Sequence, residues 1–197
     1  MADDDQPYLE GFAAEQRRGV VERREAYNVF FAFQPEQASA ETAISEAYRL
    51  KRENRLSGRP LNSENLHVTL FPFWKGNIVP SDLAEVASGY AQAIRGSAFE
   101  VVFDMAMSFR RKQGYCLVLG STRGAADIYA LQRQFVGRFQ GIIRAGSLTP
   151  HMTLLYTDKF VYKQPVEPVR WTAREFVLIQ SFVGQGRHQV MAHWPLR

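Results

Sequence analysis

The sequence predicts an α+β fold made of two similar lobes that face each other across a cleft. Three observations predict it. A strand, an amphipathic helix and a second strand occur twice in that order, and each copy ends in His-x-Thr-Leu. From Tyr27 to His67 is 40 residues, and from Tyr115 to His151 is 36 residues. Such regular spacing indicates an internal duplication. We therefore expect a pseudo-two-fold axis, antiparallel sheets that form the cleft, and helices outside them.

The first copy begins with Tyr27–Phe33, which is rich in aromatic and β-branched residues and is typical of a strand. The segment after it predicts a helix, because its apolar residues recur at steps of three and four. The loop 57–63 ends this helix, and the second strand is predicted over residues 66–71. The apolar stripe of the helix consists of Ala40, Ala43, Ile44, Ala47 and Leu50.

The second copy repeats this order. Residues 115–119 predict a strand, residues 120–124 a turn, and residues 151–155 the closing strand. Gly146 and Pro150 end the helix that lies between them. The turn is not a phosphate-binding P-loop, since it lacks the Gly-Lys-Ser/Thr core. The apolar stripe of this helix consists of Ile128, Leu131, Phe135, Phe139 and Ile142.

The remaining segments complete the two lobes. A third helix with apolar positions between Leu83 and Ile94 and a strand over residues 99–105 lie between the copies. After the second copy come a loop with two prolines and a hairpin formed by residues 175–183 and 189–194. The prediction is about seven strands and three helices in one bilobed domain, residues 26–197. Residues 1–25, acidic and then basic with few apolar side chains, predict a flexible arm.

Charge and composition narrow the classes of function. Lys and Arg outnumber Asp and Glu by 24 to 20, a net charge of +4 that favours anionic partners. A basic surface kept for solubility explains this excess equally well. The single cysteine, Cys116, lies in an apolar run, so we expect a buried thiol and no disulfide. The absence of a long apolar run or a signal peptide predicts a cytoplasmic protein without a membrane partner, and we expect a monomer.

The two His-x-Thr-Leu motifs are the candidate site. Side chains alternate along a strand, so His67 and Thr69 share one face, as do His151 and Thr153, while the apolar residues between them point to the core. Histidine serves as acid or base near neutral pH. Threonine hydroxyls donate hydrogen bonds to phosphate oxygens as charge develops. The alternative is structural: two core histidines that satisfy the polar groups of the two threonines.

The motifs resemble the paired H-x-T-x motifs of the 2H phosphoesterase superfamily, which includes LigT-like 2′-5′ RNA ligases and cyclic phosphodiesterases. Asn65 and Leu66 are similar to the usual residues before the first motif. The C-terminal segment 176–196 is similar to the closing hairpin of the family. The resemblance therefore extends over most of the chain, from Tyr27 onward.

The resemblance implies hydrolysis of 2′,3′-cyclic phosphates or 2′-5′ phosphodiester bonds, in RNA ends or small nucleotides, without a metal or another cofactor. It implies that His67 protonates the leaving oxygen, that His151 activates water, and that Thr69 and Thr153 hold the phosphate. The alternatives are an RNA- or nucleotide-binding module without turnover, and a reversible 2′-5′ RNA ligase. The two intact motifs argue against the binding module, whereas the same four residues would serve hydrolysis and ligation, which the sequence does not separate.

Aromatic residues after the motifs differ from the family pattern. Many RNA-acting relatives carry a basic residue two places after the second motif, where this chain has Tyr156. Together with Phe71 and Phe73, this tyrosine is a candidate for the cleft rim, where aromatic rings stack on bases. For the two phenylalanines, burial in the core is an equal alternative.

Other polar residues are interpreted as structural. Arg110, Arg111 and Lys112 predict a solvated turn that could also contact a phosphate backbone. His188 and His193 lie five residues apart, so on a regular strand they face opposite sides. A zinc site on His67 and His151 requires a third ligand, and Asp158 is the nearest carboxylate in sequence. We therefore expect no metal.

Overall fold

The computed structural model describes residues 26–139 and 149–197. The predicted arm 1–25 lies outside the described residues, and so do Ile142 and Gly146 at the predicted end of the second-copy helix. In the part that the structure describes, no helix is both long and apolar enough to span a membrane.

The described residues contain eight strands and three α-helices. A short 3-10 helix, Ser63–Asn65, precedes β2. The helices are α1 (Gln37–Glu53), α2 (Leu83–Ala91) and α3 (Ala126–Arg138). The strands are β1 (Tyr27–Phe33), β2 (Val68–Gly76), β3 (Phe99–Arg110), β4 (Tyr115–Gly120), β5 (Met152–Thr157), β6 (Gln164–Ala173), β7 (Glu175–Phe182) and β8 (Arg187–Pro195).

All eight strands form one antiparallel sheet in the order β6-β3-β4-β5-β2-β1-β7-β8. The sheet consists of two four-stranded halves, which meet where Val68 of β2 pairs with Met152 of β5. β2 and β5 are the strands that follow the two histidines, so equivalent strands of the two copies meet at the centre. This arrangement confirms the predicted α+β fold and the pseudo-two-fold order of its elements. The two predicted lobes are the two halves of one sheet.

Each helix of the duplicated units packs on the half formed mainly by the other copy. In α3, the ring centre of Phe135 lies 4.7 Å from that of Phe31 and 5.7 Å from that of Phe71. In α1, the hydroxyl of Ser39 donates a hydrogen bond of 2.5 Å to the carbonyl of Arg170 in β6. Both halves therefore contribute to one main hydrophobic core. Each large side chain buried there stabilises the fold by about 1.5–3 kcal/mol.

The face of the first half opposite the main core carries a separate apolar cluster. It consists of Phe30, Ala32, Val177 and Ile179 on β1 and β7. The register pairs Phe30 with Ile179 and Ala32 with Val177, which places these four side chains on one face. This face leads to the first histidine, and we call it the cleft face.

The predicted loop with two prolines is a strand in the structure. Pro165 and Pro168 lie in β6, which pairs with β3 and forms one edge of the sheet. Proline cannot donate to a neighbouring strand, so it is tolerated on an edge. The prolines made this segment resemble a loop in the sequence. The structure therefore has eight described strands where about seven were predicted.

Candidate active site

The two histidines flank the single pair that joins the halves of the sheet. Val68 and Met152 form this pair and are fully buried. Continuing the antiparallel register by one residue places His67 opposite Thr153 and Thr69 opposite His151. The histidines are then diagonal neighbours, which lie about 7–8 Å apart in a regular ladder. Both imidazoles therefore project from one face of the sheet, on either side of the central pair.

The same hydrogen bond orients both imidazoles. The Nδ1 atom of His67 lies 2.8 Å from the carbonyl oxygen of Asn65, and the Nδ1 atom of His151 lies 2.8 Å from the carbonyl oxygen of Thr149. A carbonyl oxygen only accepts, so each Nδ1 carries the proton and donates it. In the neutral ring, Nε2 is then the atom that accepts a proton. Both copies therefore present equivalent nitrogens for acid or base chemistry.

Aromatic rings hold each histidine from one side. The ring centre of His67 lies 4.8 Å from that of Phe30 and 5.1 Å from that of His188. The ring centre of His151 lies 4.9 Å from that of Phe109. Both histidines remain half-buried, so neither is sealed from solvent. The rings are thus fixed in place and still accessible.

Burial lowers the pKa of both histidines. Desolvation disfavours the imidazolium of His67 and lowers its pKa from 6.5 to about 4. The carbonyl of Asn65 opposes this shift, whereas positive charges on His188 and His151 add to it. Desolvation also lowers the pKa of His151, against the opposing effect of the carbonyl of Thr149. Both rings are therefore predominantly neutral in the free protein at pH 7.

Thr69 and Thr153 lie on the same side of their strands as the histidines. Both are half-buried, while Leu70 and Leu154 beside them are buried in the main core. Thr153 pairs with Val118 of β4. Neither threonine hydroxyl has a hydrogen-bond partner among residues 26–139 and 149–197, so both can donate to a ligand.

The aromatic rim candidates separate into two environments. Phe71 and Phe73 are almost fully buried in the main core, so the structure contradicts a role for them at the rim. Phe71 stacks on Phe139, with ring centres 4.8 Å apart. Phe73 packs edge-to-face on the same ring at 5.6 Å. Tyr156, by contrast, is 46% exposed.

Tyr156 lies on the cleft face because β5 is irregular. It pairs with Cys116, and Thr153 pairs with Val118, with a register shift between the two pairs. Cys116 and Val118 are two residues apart on β4 and share a face, so Thr153 and Tyr156 share it too. The guanidinium of Arg111 lies 4.2 Å from the ring centre of Tyr156. The basic turn after β3 therefore reaches the side chain that lies two residues after the second motif.

His188 was interpreted as structural, but the structure places it beside His67. Its ring also lies 5.9 Å from Phe30, and its Nδ1 is buried without a hydrogen-bond partner among the described residues. The amide of Asn65 donates a hydrogen bond of 2.7 Å to the carbonyl of Gly186, which ties the β7–β8 turn to the first motif. No sequence motif surrounds His188, so only the hairpin pairing reveals its position.

The prediction that His188 and His193 face opposite sides is wrong. His188 pairs with Ser181, and His193 pairs with Val177, four residues away on the same face of β7. A register shift in β8 between these pairs adds one residue and turns His193 to the cleft face. His193 nevertheless belongs to another environment, since its Nδ1 lies 3.7 Å from the carboxylate of Glu175.

Cys116 is buried, as predicted, and its thiol lies 3.7 Å from the carbonyl oxygen of Phe109. Asp158 accepts a hydrogen bond from the hydroxyl of Ser57. Over the described ranges, no three histidine, cysteine or carboxylate side chains are grouped as a metal site would require.

One family of known proteins matches the sequence of this chain. The sequence profile of the 2′-5′ RNA ligase superfamily matches residues 33–181. Among curated proteins, no sequence gives a significant match.

Several solved structures share the fold. Escherichia coli LigT in complex with phosphate has a TM-score of 0.68 and 23% identity, and the match covers 87% of this chain and 98% of that chain. LigT in complex with 3′-AMP has a TM-score of 0.69 and 23% identity, and the match covers 87% of this chain and 99% of that chain. The structure of a phosphoesterase has a TM-score of 0.67 and 25% identity, and the match covers 87% of this chain and 99% of that chain.

Proposed function

The chain belongs to the 2′-5′ RNA ligase superfamily, and from this premise we propose that it is a metal-independent phosphoesterase. Its substrates are 2′,3′-cyclic phosphates or 2′-5′ phosphodiester bonds, in RNA ends or nucleotides. The observation that carries this proposal is the equivalent placement of His67 and His151 on either side of the Val68–Met152 pair. Each ring donates from Nδ1 to a carbonyl two residues before it, which leaves Nε2 for the substrate.

In the proposed hydrolysis, the phosphate binds between the two rings. Nε2 of His151 takes a proton from a water molecule, whose oxygen attacks phosphorus. The bond from phosphorus to the leaving ribose oxygen breaks, and Nε2 of His67 gives that oxygen a proton. Thr69 and Thr153 donate hydrogen bonds to the non-bridging oxygens, where negative charge increases in the transition state. Water is consumed and no other reactant is needed.

The charge of the substrate changes the pKa of His67. His67 is neutral in the free protein at pH 7, because its pKa lies near 4. An anionic phosphate beside the ring favours the imidazolium and raises that pKa. His67 therefore takes up its proton together with the substrate. The same charge acts on His151, so its role as the base is taken from the family resemblance and not from the pKa.

The ligands of a protein with the same fold support binding of a phosphate group by this chain. LigT has been crystallised with phosphate and with 3′-AMP, and it shares the fold of this chain. We propose that the cleft beside His67 and His151 accepts a phosphate group in this chain. The aromatic and basic pair Tyr156 and Arg111 then lies on the cleft face, beyond Thr153 along β5, where it can contact the rest of the substrate.

Incubation of the purified protein with 2′,3′-cyclic nucleotides in excess EDTA tests the proposal. We expect a nucleoside monophosphate product, with His67→Ala and His151→Ala each lowering the rate by a factor of ~10² or more. The matched control is His193→Ala, which removes a histidine paired with Glu175 and keeps the rate. Binding of the nucleotide without any product would instead favour a binding module. A rate that both motif substitutions leave unchanged would refute the mechanism.

A further inference from the structure

A third histidine lies on the cleft face beside the first motif, and the proposed reaction does not use it. His188 of β8 pairs with Ser181 of β7, which pairs with Asn28 of β1. Paired residues point to the same face of a sheet, and Asn28 is two residues from Phe30 of the cleft face. The ring centre of His188 accordingly lies 5.1 Å from that of His67 and 5.9 Å from that of Phe30. The first half of the site therefore contains a further polar ring.

The two ring nitrogens of His188 have different surroundings. Nδ1 is buried and has no hydrogen-bond partner among the described residues, whereas Nε2 is not buried in this way. A proton on Nδ1 would be an unpaired donor inside the protein, and such donors are rare. Desolvation lowers the pKa of this ring, so the ring is predominantly neutral at pH 7 and carries one proton. These surroundings place that proton on Nε2.

The neighbouring motif histidine has the opposite arrangement. Nδ1 of His67 donates to the carbonyl of Asn65, so its Nε2 is the accepting nitrogen. His188 thus adds a donor beside an acceptor on the first half of the sheet. In the second half, the ring that packs on His151 is that of Phe109, which has no hydrogen to donate. The neighbours of the two motif histidines therefore differ in chemistry.

Two contacts in the preceding turn hold His188 in place. The amide of Asn65 donates a hydrogen bond of 2.7 Å to the carbonyl of Gly186. The guanidinium of Arg187 lies 3.6 Å from the ring centre of Phe182. Because Gly186 and Arg187 directly precede His188, these contacts fix the backbone from which its ring projects. A group that is oriented before a ligand arrives loses less conformational freedom on binding.

Packing alone does not account for a histidine at this position. An apolar aromatic ring would fill the space against His67 and Phe30 without leaving a buried nitrogen unpaired. Unsatisfied buried groups are uncommon in native proteins, and a catalytic or binding role is among the reasons for which they are kept. The donor on Nε2 of His188 is the part of this ring that packing leaves unexplained.

We propose that His188 is a substrate-binding residue, whose Nε2 donates a hydrogen bond to an oxygen of the phosphate group beside His67. The inference rests on the proposed function and adds to it a donor outside the two His-x-Thr-Leu motifs. Negative charge on the non-bridging oxygens increases in the transition state, so a donor held there stabilises that state more than the bound substrate. Together with Thr69, His188 gives the first half two neutral donors for the phosphate.

Two substitutions separate hydrogen bonding from packing. His188→Phe keeps an aromatic ring against His67 and removes the donor, whereas His188→Gln removes the ring and keeps an amide N–H near the position of Nε2. We expect His188→Phe to weaken the binding of inorganic phosphate, measured by isothermal titration calorimetry, about tenfold or more, because hydrogen bonds to charged groups are the stronger ones. His188→Gln should recover the affinity to within about threefold of the parent protein.

The reverse order of affinities would overturn the inference. If His188 acts only by packing on His67, His188→Phe keeps the affinity for phosphate and His188→Gln loses it. A parent protein that binds no phosphate would also overturn it. The matched control is His193→Phe on the same strand, which changes an exposed histidine beside Glu175 and leaves the affinity unchanged.

Unfolding measurements separate a lost hydrogen bond from a damaged fold. His188→Phe removes an unpaired nitrogen from a buried position, so its midpoint of thermal unfolding should not fall below that of the parent protein. Weaker phosphate binding at undiminished stability supports the inference. A midpoint that falls together with the affinity would show that His188 acts through the structure, and would overturn it.

The tautomer of His188 is measured directly in the free protein. NMR of the protein labelled with ¹⁵N in its histidine rings distinguishes a protonated ring nitrogen from an unprotonated one. We expect the proton of His188 on Nε2 and that of His67 on Nδ1, and the Nε2 resonance of His188 should shift when inorganic phosphate is added. A proton on Nδ1 of His188 would overturn the inference.

Turnover separates this inference from the proposed function. With a mononucleoside 2′,3′-cyclic phosphate, His188→Phe should lower kcat/KM about tenfold or more, and His188→Gln should restore most of it. If the parent protein hydrolyses this substrate and both variants match it, the role of His188 fails and the proposed function stands. If no substrate reacts but the variants change phosphate binding as expected, the proposed function fails and the phosphate contact of His188 stands.

Discussion

The imidazole of His188 packs edge-to-face on that of His67, with ring centres 5.1 Å apart and an interplanar angle of 66°. The second motif has no such histidine neighbour among the described residues, since the ring that packs on His151 is that of Phe109. The duplicated site is therefore asymmetric. The first half contains an additional titratable group beside the acid of the proposed reaction.

Replacing His188 should raise the pKa of His67. The pKa of His67 is lowered first by desolvation and further by positive charge on His188 and His151. His188→Asn removes one of those charges and opens space for water, and both effects favour the imidazolium. NMR titration of the imidazole resonances in the free protein measures the shift.

The control for this titration is His193→Asn, which alters a histidine beside Glu175. This substitution should leave the pKa of His67 unchanged. An unchanged pKa of His67 in His188→Asn would show that the neighbouring ring has no electrostatic effect. Because the free protein is measured, this result is independent of any substrate.

Acid should destabilise the protein through its site histidines. The folded-state pKa of His67 is about 4, below the ordinary value of 6.5, so the unfolded chain binds the proton more tightly. The stability from a neutral His67 is complete above pH 6.5 and is lost as the pH falls from 6.5 to about 4. At 1.36 kcal/mol per pKa unit, and with some reduction for partial exposure, we expect a loss of roughly 1–3 kcal/mol.

Denaturant unfolding above pH 6.5 and near pH 4 measures this loss. His67→Asn should show a smaller decrease than the parent protein, because its asparagine does not titrate. His193→Asn should keep the full decrease. Equal pH dependence in His67→Asn and the parent protein would contradict the link between this ring and acid stability.

Asn65 should support the site through both its backbone and its side chain. Its carbonyl holds Nδ1 of His67, and its amide holds the carbonyl of Gly186 in the β7–β8 turn. Asn65→Ala keeps the first bond and removes the second, at a cost of about 0.5–1.5 kcal/mol, the net value of one hydrogen bond. We expect a lower midpoint of thermal unfolding and a lower kcat, because the turn just before His188 loses its hydrogen bond to the first motif.

The neighbouring Asn62 provides the control. It is exposed and its side chain makes no capping hydrogen bond at the 3-10 helix that follows. Asn62→Ala should change stability by less than about 0.5 kcal/mol. If Asn65→Ala behaves like Asn62→Ala in unfolding and in turnover, the Asn65–Gly186 bond has no role in the site.

The sequence predicted what depends on local pattern. The duplicated order of elements gave the α+β class and the two halves of the sheet. Alternation within one motif gave the common side of His67 and Thr69, and of His151 and Thr153. These inferences need only the period of a regular strand. The buried environment of Cys116 also follows from its apolar neighbours.

The errors arose where tertiary pairing breaks the local period. One added residue in β8 turns His193 to the face of His188, contrary to the prediction. An added residue in β5 likewise places the rim candidate Tyr156 on the face of Thr153, which alternation along a regular strand would not have done. A single-residue shift reverses every later side chain, and no sequence signal marks these two positions. Phe71 and Phe73 are buried because α3 of the second copy covers them, which is a contact between distant segments. Local pattern does not contain that information.

Gly58 should be intolerant of a side chain, because its loop lies directly on β5. Its φ of +79° is in the left-handed region, and an added Cβ would lie 1.9 Å from the carbonyl oxygen of Tyr156. The loop is held there by a hydrogen bond of 2.8 Å from the nitrogen of Leu61 to the carbonyl of Leu154. Gly58→Ala should therefore destabilise the protein by roughly 1–3 kcal/mol or more. At about 2–4 °C per kcal/mol, calorimetry should detect the lower unfolding temperature.

Gly89, inside α2, has no atom within 4 Å of an added Cβ, so Gly89→Ala should instead stabilise by about 0.5–1 kcal/mol. Equal unfolding temperatures for the two variants would show that the loop moves away from β5 at little cost, and would place Tyr156 on a less rigid strand.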